Sequence, residues 1–79
     1  MQLLDTVHMT DLVEQILKEP EFKPNGFVWK HIQNRASDPL RSVQSAVDRM
    51  RELHDIEDDQ FGPLCEQLLK VITSLVDKS

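Results

Sequence analysis

The amino-acid sequence predicts an all-α protein, a compact bundle of about four short helices that forms a single domain over residues 1–79. Apolar residues recur at intervals of three and four in four separate segments, and this spacing places them on one face of a helix. No segment alternates apolar and polar residues as a half-buried strand does. A chain of 79 residues buries about 60% of its unfolded surface, which is enough for one modest core. These observations leave no room for a separate cofactor-binding domain.

The first predicted helix covers about residues 3–18 and ends before Pro20, because the residue that precedes a proline avoids the α conformation. Its apolar stripe consists of Met9, Leu12, Val13, Ile16 and Leu17. Asp11 and Glu14 have the spacing of a capping box, in which the second side chain bonds the backbone N–H of the first residue. A helix start near residue 11 is therefore an alternative to a start near residue 3.

The second predicted helix is short and covers about residues 27–36. A connector with two prolines and one glycine, residues 19–26, precedes it. Its predicted inner face consists of Val28, Trp29, Ile32 and Ala36.

The third predicted helix covers residues 39–54, because Asp38 suits the N-cap and Pro39 suits the first helical position. Its inward stripe consists of Leu40, Val43, Val47 and Met50. An acidic segment follows, and Gly62-Pro63 marks the start of the last predicted helix, residues 63–77. The core stripe of that helix is Leu64, Leu68, Ile72 and either Leu75 or Val76.

The net charge of −5 argues against a broad surface for nucleic acid or anionic lipid. The charge is unevenly distributed, since residues 22–51 contain six basic and two acidic side chains and both flanks are acidic. A single cysteine, Cys65, cannot form an internal disulfide, as is usual in a reducing compartment. With no leader and no apolar run of about 18 residues, we expect a cytoplasmic protein that does not enter a membrane.

Catalytic and metal-binding motifs are not apparent. His8, His31 and His54 lie in three different predicted elements, and we expect Cys65 to be a small buried apolar residue of the last helix. Zinc sites need Cys or His pairs at short spacing, which the chain lacks. We therefore expect no enzyme activity, no metal and no cofactor.

An acidic run resembles a calcium-binding loop in part of its spacing. Asp55, Glu57, Asp59 and Glu66 occupy positions 1, 3, 5 and 12 of such a loop, but Gln60 stands where the sharp turn needs glycine. We expect instead that these carboxylates lie at the N-terminus of the last helix, which they stabilise.

The outer face of the second helix is the predicted interaction site. Phe27, Lys30, His31 and Asn34 lie opposite the apolar stripe, and an aromatic residue beside basic and amide groups is suited to anchor a protein partner. Arg41 and Arg49 of the third helix are the next candidate contacts. The sequence thus predicts a small acidic protein-interaction module, such as an adaptor, inhibitor or regulatory subunit, and it is also compatible with a homodimer.

The alternative is a helix-turn-helix regulator that places residues 39–54 in the major groove of DNA. The helical spacing turns Arg41, Ser45, Asp48, Arg49 and Glu52 outward. Two carboxylates on that face repel phosphates, and we therefore expect DNA to be the less suitable partner.

Overall fold

The computed structural model describes the backbone of residues 2–78 and the side chains of residues 9–78. Four α-helices follow one another in the order α1 (Gln2–Leu17), α2 (Phe27–Gln33), α3 (Pro39–Arg49) and α4 (Asp58–Lys78), with a short 3-10 helix (Pro20–Phe22) between α1 and α2. No strand occurs in residues 2–78. The all-α bundle is confirmed. The side chain of His8 and both terminal residues lie outside the described part.

The core is continuous and all four helices contribute to it. Its buried side chains are Leu12, Val13, Ile16, Phe22, Val28, Trp29, Val43, Ala46, Val47, Met50, Ile56, Leu64, Cys65, Leu68 and Ile72. The longest helix, α4, packs against α1, α2 and α3 and is the centre of the bundle. Leu75 is largely exposed, whereas Val76 packs against the core, so Val76 is the residue that continues the α4 stripe.

Helix α1 runs without a break from Gln2, so Asp11 is an exposed residue of the helix interior and not its N-cap. The backbone tightens after Leu17, where the N–H of Lys18 and the N–H of Glu19 bond carbonyls three residues back. The 3-10 helix that follows begins at Pro20 and buries Phe22 against the core.

Helix α2 ends at Gln33, three residues before the predicted end at residue 36. The cause is Arg35, whose φ of 56° lies in the left-handed region. The N–H of Ala36 bonds the carbonyl of His31 at 3.0 Å and the N–H of Arg35 bonds that of Ile32 at 3.1 Å. This pair of bonds is a Schellman motif, which terminates a helix.

Helix α3 ends at Arg49, five residues before the predicted end at residue 54. Asp38 caps its N-terminus as predicted, because its carboxylate accepts the N–H of Arg41 at 3.3 Å. Residues 50–55 form turns that end in a left-handed residue, Asp55, with a φ of 55°. The pattern of apolar residues does not distinguish these hydrogen-bonded turns from helix.

Helix α4 begins at Asp58, five residues before the predicted start at residue 63, and Pro63 lies inside it. The side-chain carbonyl of Gln60 accepts the backbone N–H of Glu57 at 3.0 Å, which satisfies one donor at the helix start. Asp58 and Asp59 in the first turn favour the positive end of the helix dipole. Pro63 is the sixth residue of α4, so its missing N–H removes one helical hydrogen bond and its ring crowds the carbonyl of Asp59.

Candidate functional site

The start of α2 is fixed by a close approach of two backbone segments. Gly26 precedes Phe27, and a Cβ atom built on Gly26 lies 2.6 Å from the carbonyl oxygen of Glu21. Only glycine fits at this distance, because real Cβ atoms do not approach a backbone oxygen so closely. The indole N–H of Trp29 also donates to the carbonyl of Phe22 at 2.6 Å. Both contacts hold α2 against the 3-10 helix and thereby set the direction of Phe27.

Among the described side chains, Phe27 is one of three large apolar residues that remain open to solvent, with 39% of its surface exposed. Its ring lies against the imidazole of His31, with the ring centroids 4.3 Å apart and the planes tilted by 48°. The guanidinium of Arg49 lies 5.9 Å from the centroid of the same ring, within cation–π range. Two of the predicted contact residues, His31 and Arg49, therefore flank the predicted aromatic anchor.

Arg49 is itself oriented by an ion pair. Its guanidinium donates to the carboxylate of Glu21 at 3.1 Å, and this contact joins α3 to the 3-10 helix. Glu21 has no role in the sequence prediction. Because the two residues are 28 positions apart, no local pattern pairs them.

His31 is half-buried and not fully turned outward as the helical spacing predicts. Its Nδ1 lies 2.6 Å from the hydroxyl oxygen of Ser42, which joins α2 to α3. Ser42 is buried, with 7% of its surface exposed, and sequence reasoning missed it because its residue type is polar. Its spacing of four residues from Ala46 is the signal that places it on the inner face of α3.

The remaining predicted contacts are all exposed. Lys30 lies on α2 and Asn34 at its C-cap, so both belong to the same helix as Phe27. Arg41 lies in the first turn of α3, and within residues 9–78 no described hydrogen bond, ion pair or ring contact joins its side chain to the others. We call Phe27, Lys30, His31, Asn34 and Arg49 the α2 patch.

The five residues that the spacing turns outward are all exposed, and four of them, Arg41, Ser45, Asp48 and Arg49, lie on α3. Glu52 lies in the turns that follow the helix. Two of the arginines in and beside this face are paired with carboxylates. Arg49 bonds Glu21, and Arg51 pairs with Asp48 at 3.8 Å and with Asp58. Because α3 ends at Arg49, residues 50–54 are not part of a continuous recognition helix.

The prediction that Cys65 is buried is confirmed, because none of its surface is exposed. Burial, with a further contribution from the charge of Glu66, raises the pKa of the Cys65 thiol to about 11. The thiolate, which is the reactive form, is thus disfavoured at neutral pH.

His54 bonds the carboxylate of Glu19 at 2.9 Å and so serves to hold the turn after α3 against the end of α1.

The residues with calcium-loop spacing do not form a loop, since α4 already begins at Asp58. Within the described part of the chain, no group of three or more His, Cys, Asp or Glu side chains is placed to hold a metal ion.

A second surface feature, which sequence reasoning did not find, is an open groove of about 760 Å³ between α1 and α4, lined from Glu57, just before α4, as far as Val71. Its apolar lining consists of Met9, Val13, Leu17, Pro63 and Val71. Its charged lining consists of Glu14, Glu57 and Asp59, with no Lys, Arg or His. We call it the α1–α4 groove.

The helices of residues 2–78 include none whose length and apolar content would let it cross a bilayer. The overall dimensions of the chain are 38 × 24 × 21 Å.

No family model, no curated protein and no solved structure matches this chain.

Proposed function

We propose that this chain is a non-catalytic protein-interaction module, an adaptor, inhibitor or regulatory subunit that binds another protein through the α2 patch. The observation that carries the proposal is the position of Phe27, a partly exposed aromatic ring held between His31 and Arg49. Aromatic and arginine side chains are the residue types that most often supply the binding energy of protein interfaces.

Pre-organisation supports the proposal. His31 is bonded to Ser42, and Arg49 is bonded to Glu21, so both neighbours of the Phe27 ring are restrained before any partner arrives. Ordering a flexible side chain costs about 0.5–1.5 kcal/mol on binding, and restraint in the free protein lowers that cost. Binding at the patch is therefore expected to cost less side-chain entropy than binding at an aromatic residue with unrestrained neighbours.

The charge of the patch indicates its mode of approach. Lys30 and Arg49 carry positive charge, and Glu21 is the carboxylate that pairs with Arg49. A partner surface with carboxylates around an apolar centre complements this arrangement, and the attraction speeds association. As part of the proposal we place the interaction in the cytoplasm, because Cys65 is a free buried thiol.

Affinity capture from an extract of the native host tests the proposal. The bait is compared with a patch variant, Phe27→Ala with Lys30→Glu, and with a matched control variant, Leu53→Ala with Lys70→Glu. The control removes an exposed apolar side chain and reverses one exposed charge outside the patch, since 72% of the Leu53 surface is exposed. We expect at least one protein that the wild type and the control retain and the patch variant loses.

Nuclease treatment of the extract distinguishes the DNA-binding alternative, because proteins that are bridged by nucleic acid disappear after digestion. Light scattering of the purified chain distinguishes a homodimer. If the patch variant retains the same proteins as the wild type, the proposed site is wrong.

A further inference from the structure

We infer that the α1–α4 groove is a second docking site, and that its occupant is a basic amphipathic helix of a partner protein. None of the lining residues belongs to α2 or α3, so the groove is separate from the α2 patch and the inference does not depend on it. It rests on the shape of the groove, the apolar character of its floor and the sign of its charge.

The floor is apolar and accessible. Met9, Leu17 and Val71 are partly exposed although they border the core, and Pro63 is exposed. An amphipathic helix binds such a groove by inserting apolar side chains from one face, at spacings of three, four and seven residues.

The length of the groove fits such a helix. Met9 and Leu17 are eight residues apart on α1, which is about 12 Å at the helical rise of about 1.5 Å per residue. Gln60 and Val71 on α4 are eleven residues apart, which is about 16 Å. Two to three turns of a bound helix cover this distance.

The negative charge of the groove favours an occupant that carries positive charge. Glu14, Glu57 and Asp59 are exposed along the groove, and none of them forms an ion pair within residues 9–78. Elsewhere in the described chain, by contrast, Glu21 and Asp58 pair with arginines. The groove thus offers three free carboxylates around an apolar floor, which complements a helix with leucine-type side chains on one face and lysine or arginine on the other.

The probe is a fluorescently labelled peptide of about 14 residues, the length at which an isolated helix becomes marginally stable. Leucines at i, i+3, i+4 and i+7 form its apolar face, and lysines with alanines fill the rest. One control peptide has the same composition in an order that scatters the leucines. Another has glutamate in place of lysine.

The groove variant is Glu14→Gln, Glu57→Gln and Asp59→Asn. The matched control variant is Glu52→Gln, Glu66→Gln and Asp77→Asn, which removes the same charge from exposed positions that do not line the groove. All six side chains are exposed, so neither variant disturbs the core. Circular dichroism verifies that both variants remain folded.

Fluorescence anisotropy measures the affinity. We expect the wild type, the control variant and the patch variant Phe27→Ala with Lys30→Glu to bind the basic amphipathic peptide with similar affinity. We expect the groove variant to bind about tenfold more weakly, because three exposed charge pairs with the peptide are lost together. Raising the salt concentration is expected to weaken wild-type binding toward the level of the groove variant.

Four results would overturn the inference. The first is that the wild type does not bind the basic amphipathic peptide, and the second is that the groove variant binds it as tightly as the control variant does. The third is that the wild type binds the scattered or the glutamate peptide as tightly as the amphipathic one. The fourth is that the wild type forms a dimer and only the groove variant dissociates it. The last result would identify a second copy of the chain as the occupant.

Discussion

The imidazole Nδ1 of His31 lies 2.6 Å from the hydroxyl oxygen of Ser42, and this contact joins α2 to α3 beside the exposed ring of Phe27. It ties the position of a surface aromatic to a buried polar residue of the next helix. The α2 patch is therefore coupled to the packing of the bundle.

Replacing Ser42 with alanine is expected to lower the free energy of unfolding by about 0.5–1.5 kcal/mol, the net value of one hydrogen bond. Ser45→Ala is the control, because Ser45 is exposed on the same helix and its change is expected to stay within about 0.5 kcal/mol. Urea denaturation measures both. Equal effects of the two substitutions would show that the bond to His31 adds no stability.

The two glycines are expected to differ in how much stability an alanine costs. Gly26→Ala places a Cβ against the backbone of Pro20 and Glu21, so we expect a loss of at least about 1 kcal/mol in unfolding free energy. Gly62 lies in α4 directly before Pro63, and apart from its chain neighbours and the backbone of its own helix no atom lies within 4 Å of a built Cβ. The proline ring crowds a Cβ on the preceding helical residue and offsets the gain in helix propensity, so Gly62→Ala is expected to cost less unfolding free energy than Gly26→Ala. Thermal unfolding of the two variants is the measurement. Stabilisation by Gly26→Ala would contradict the close approach of the α2 start to the 3-10 helix.

Glycine in place of Arg35 is expected to stabilise the protein, because the left-handed conformation at φ 56° costs an L-residue about 1–2 kcal/mol and costs glycine almost nothing. Ser45→Gly is the control in the middle of α3, where added backbone freedom is expected to destabilise. The measurement is the denaturation midpoint of each of the two variants, compared with that of the wild type. If both variants lose stability equally, the Schellman end of α2 is wrong.

Stability is expected to fall at alkaline pH because of Cys65. Its folded-state pKa of about 11 is above its ordinary value of 9.0, so the folded chain holds its proton more tightly than the unfolded chain. The resulting stability is fully present below pH 9 and is lost as the pH rises toward 11. We therefore expect the unfolding free energy of the wild type to fall more steeply over this range than that of Cys65→Ala. Parallel pH profiles would show that the buried thiol does not contribute.

The four helices and most of the core were predictable from the sequence, because the spacing of residues such as Leu12, Ile16, Leu64 and Leu68 reports one buried face directly. The ends of α2 and α3 were not. Arg35 and the turns after Arg49 are set by left-handed residues and backbone hydrogen bonds, and neither changes the apolar pattern.

The site was predictable only where a single helix defines it. Phe27, Lys30 and Asn34 lie exposed on α2 or at its end as the spacing predicts. The contacts of His31 and Arg49 join residues 11 and 28 positions apart, and the α1–α4 groove joins opposite ends of the chain. Such features depend on how the helices pack, which the local pattern does not encode.

The measurement that tests the central claim most directly is the dissociation constant of a partner identified by capture, determined calorimetrically for the wild type and two variants. Phe27→Ala with Lys30→Glu is expected to raise the constant at least about tenfold, as truncation of an aromatic anchor does. Leu53→Ala with Lys70→Glu is expected to leave it within about twofold, since effects on binding concentrate in a few anchor residues. Equal constants for all three proteins, or no protein retained from a nuclease-treated extract, would contradict binding through the α2 patch.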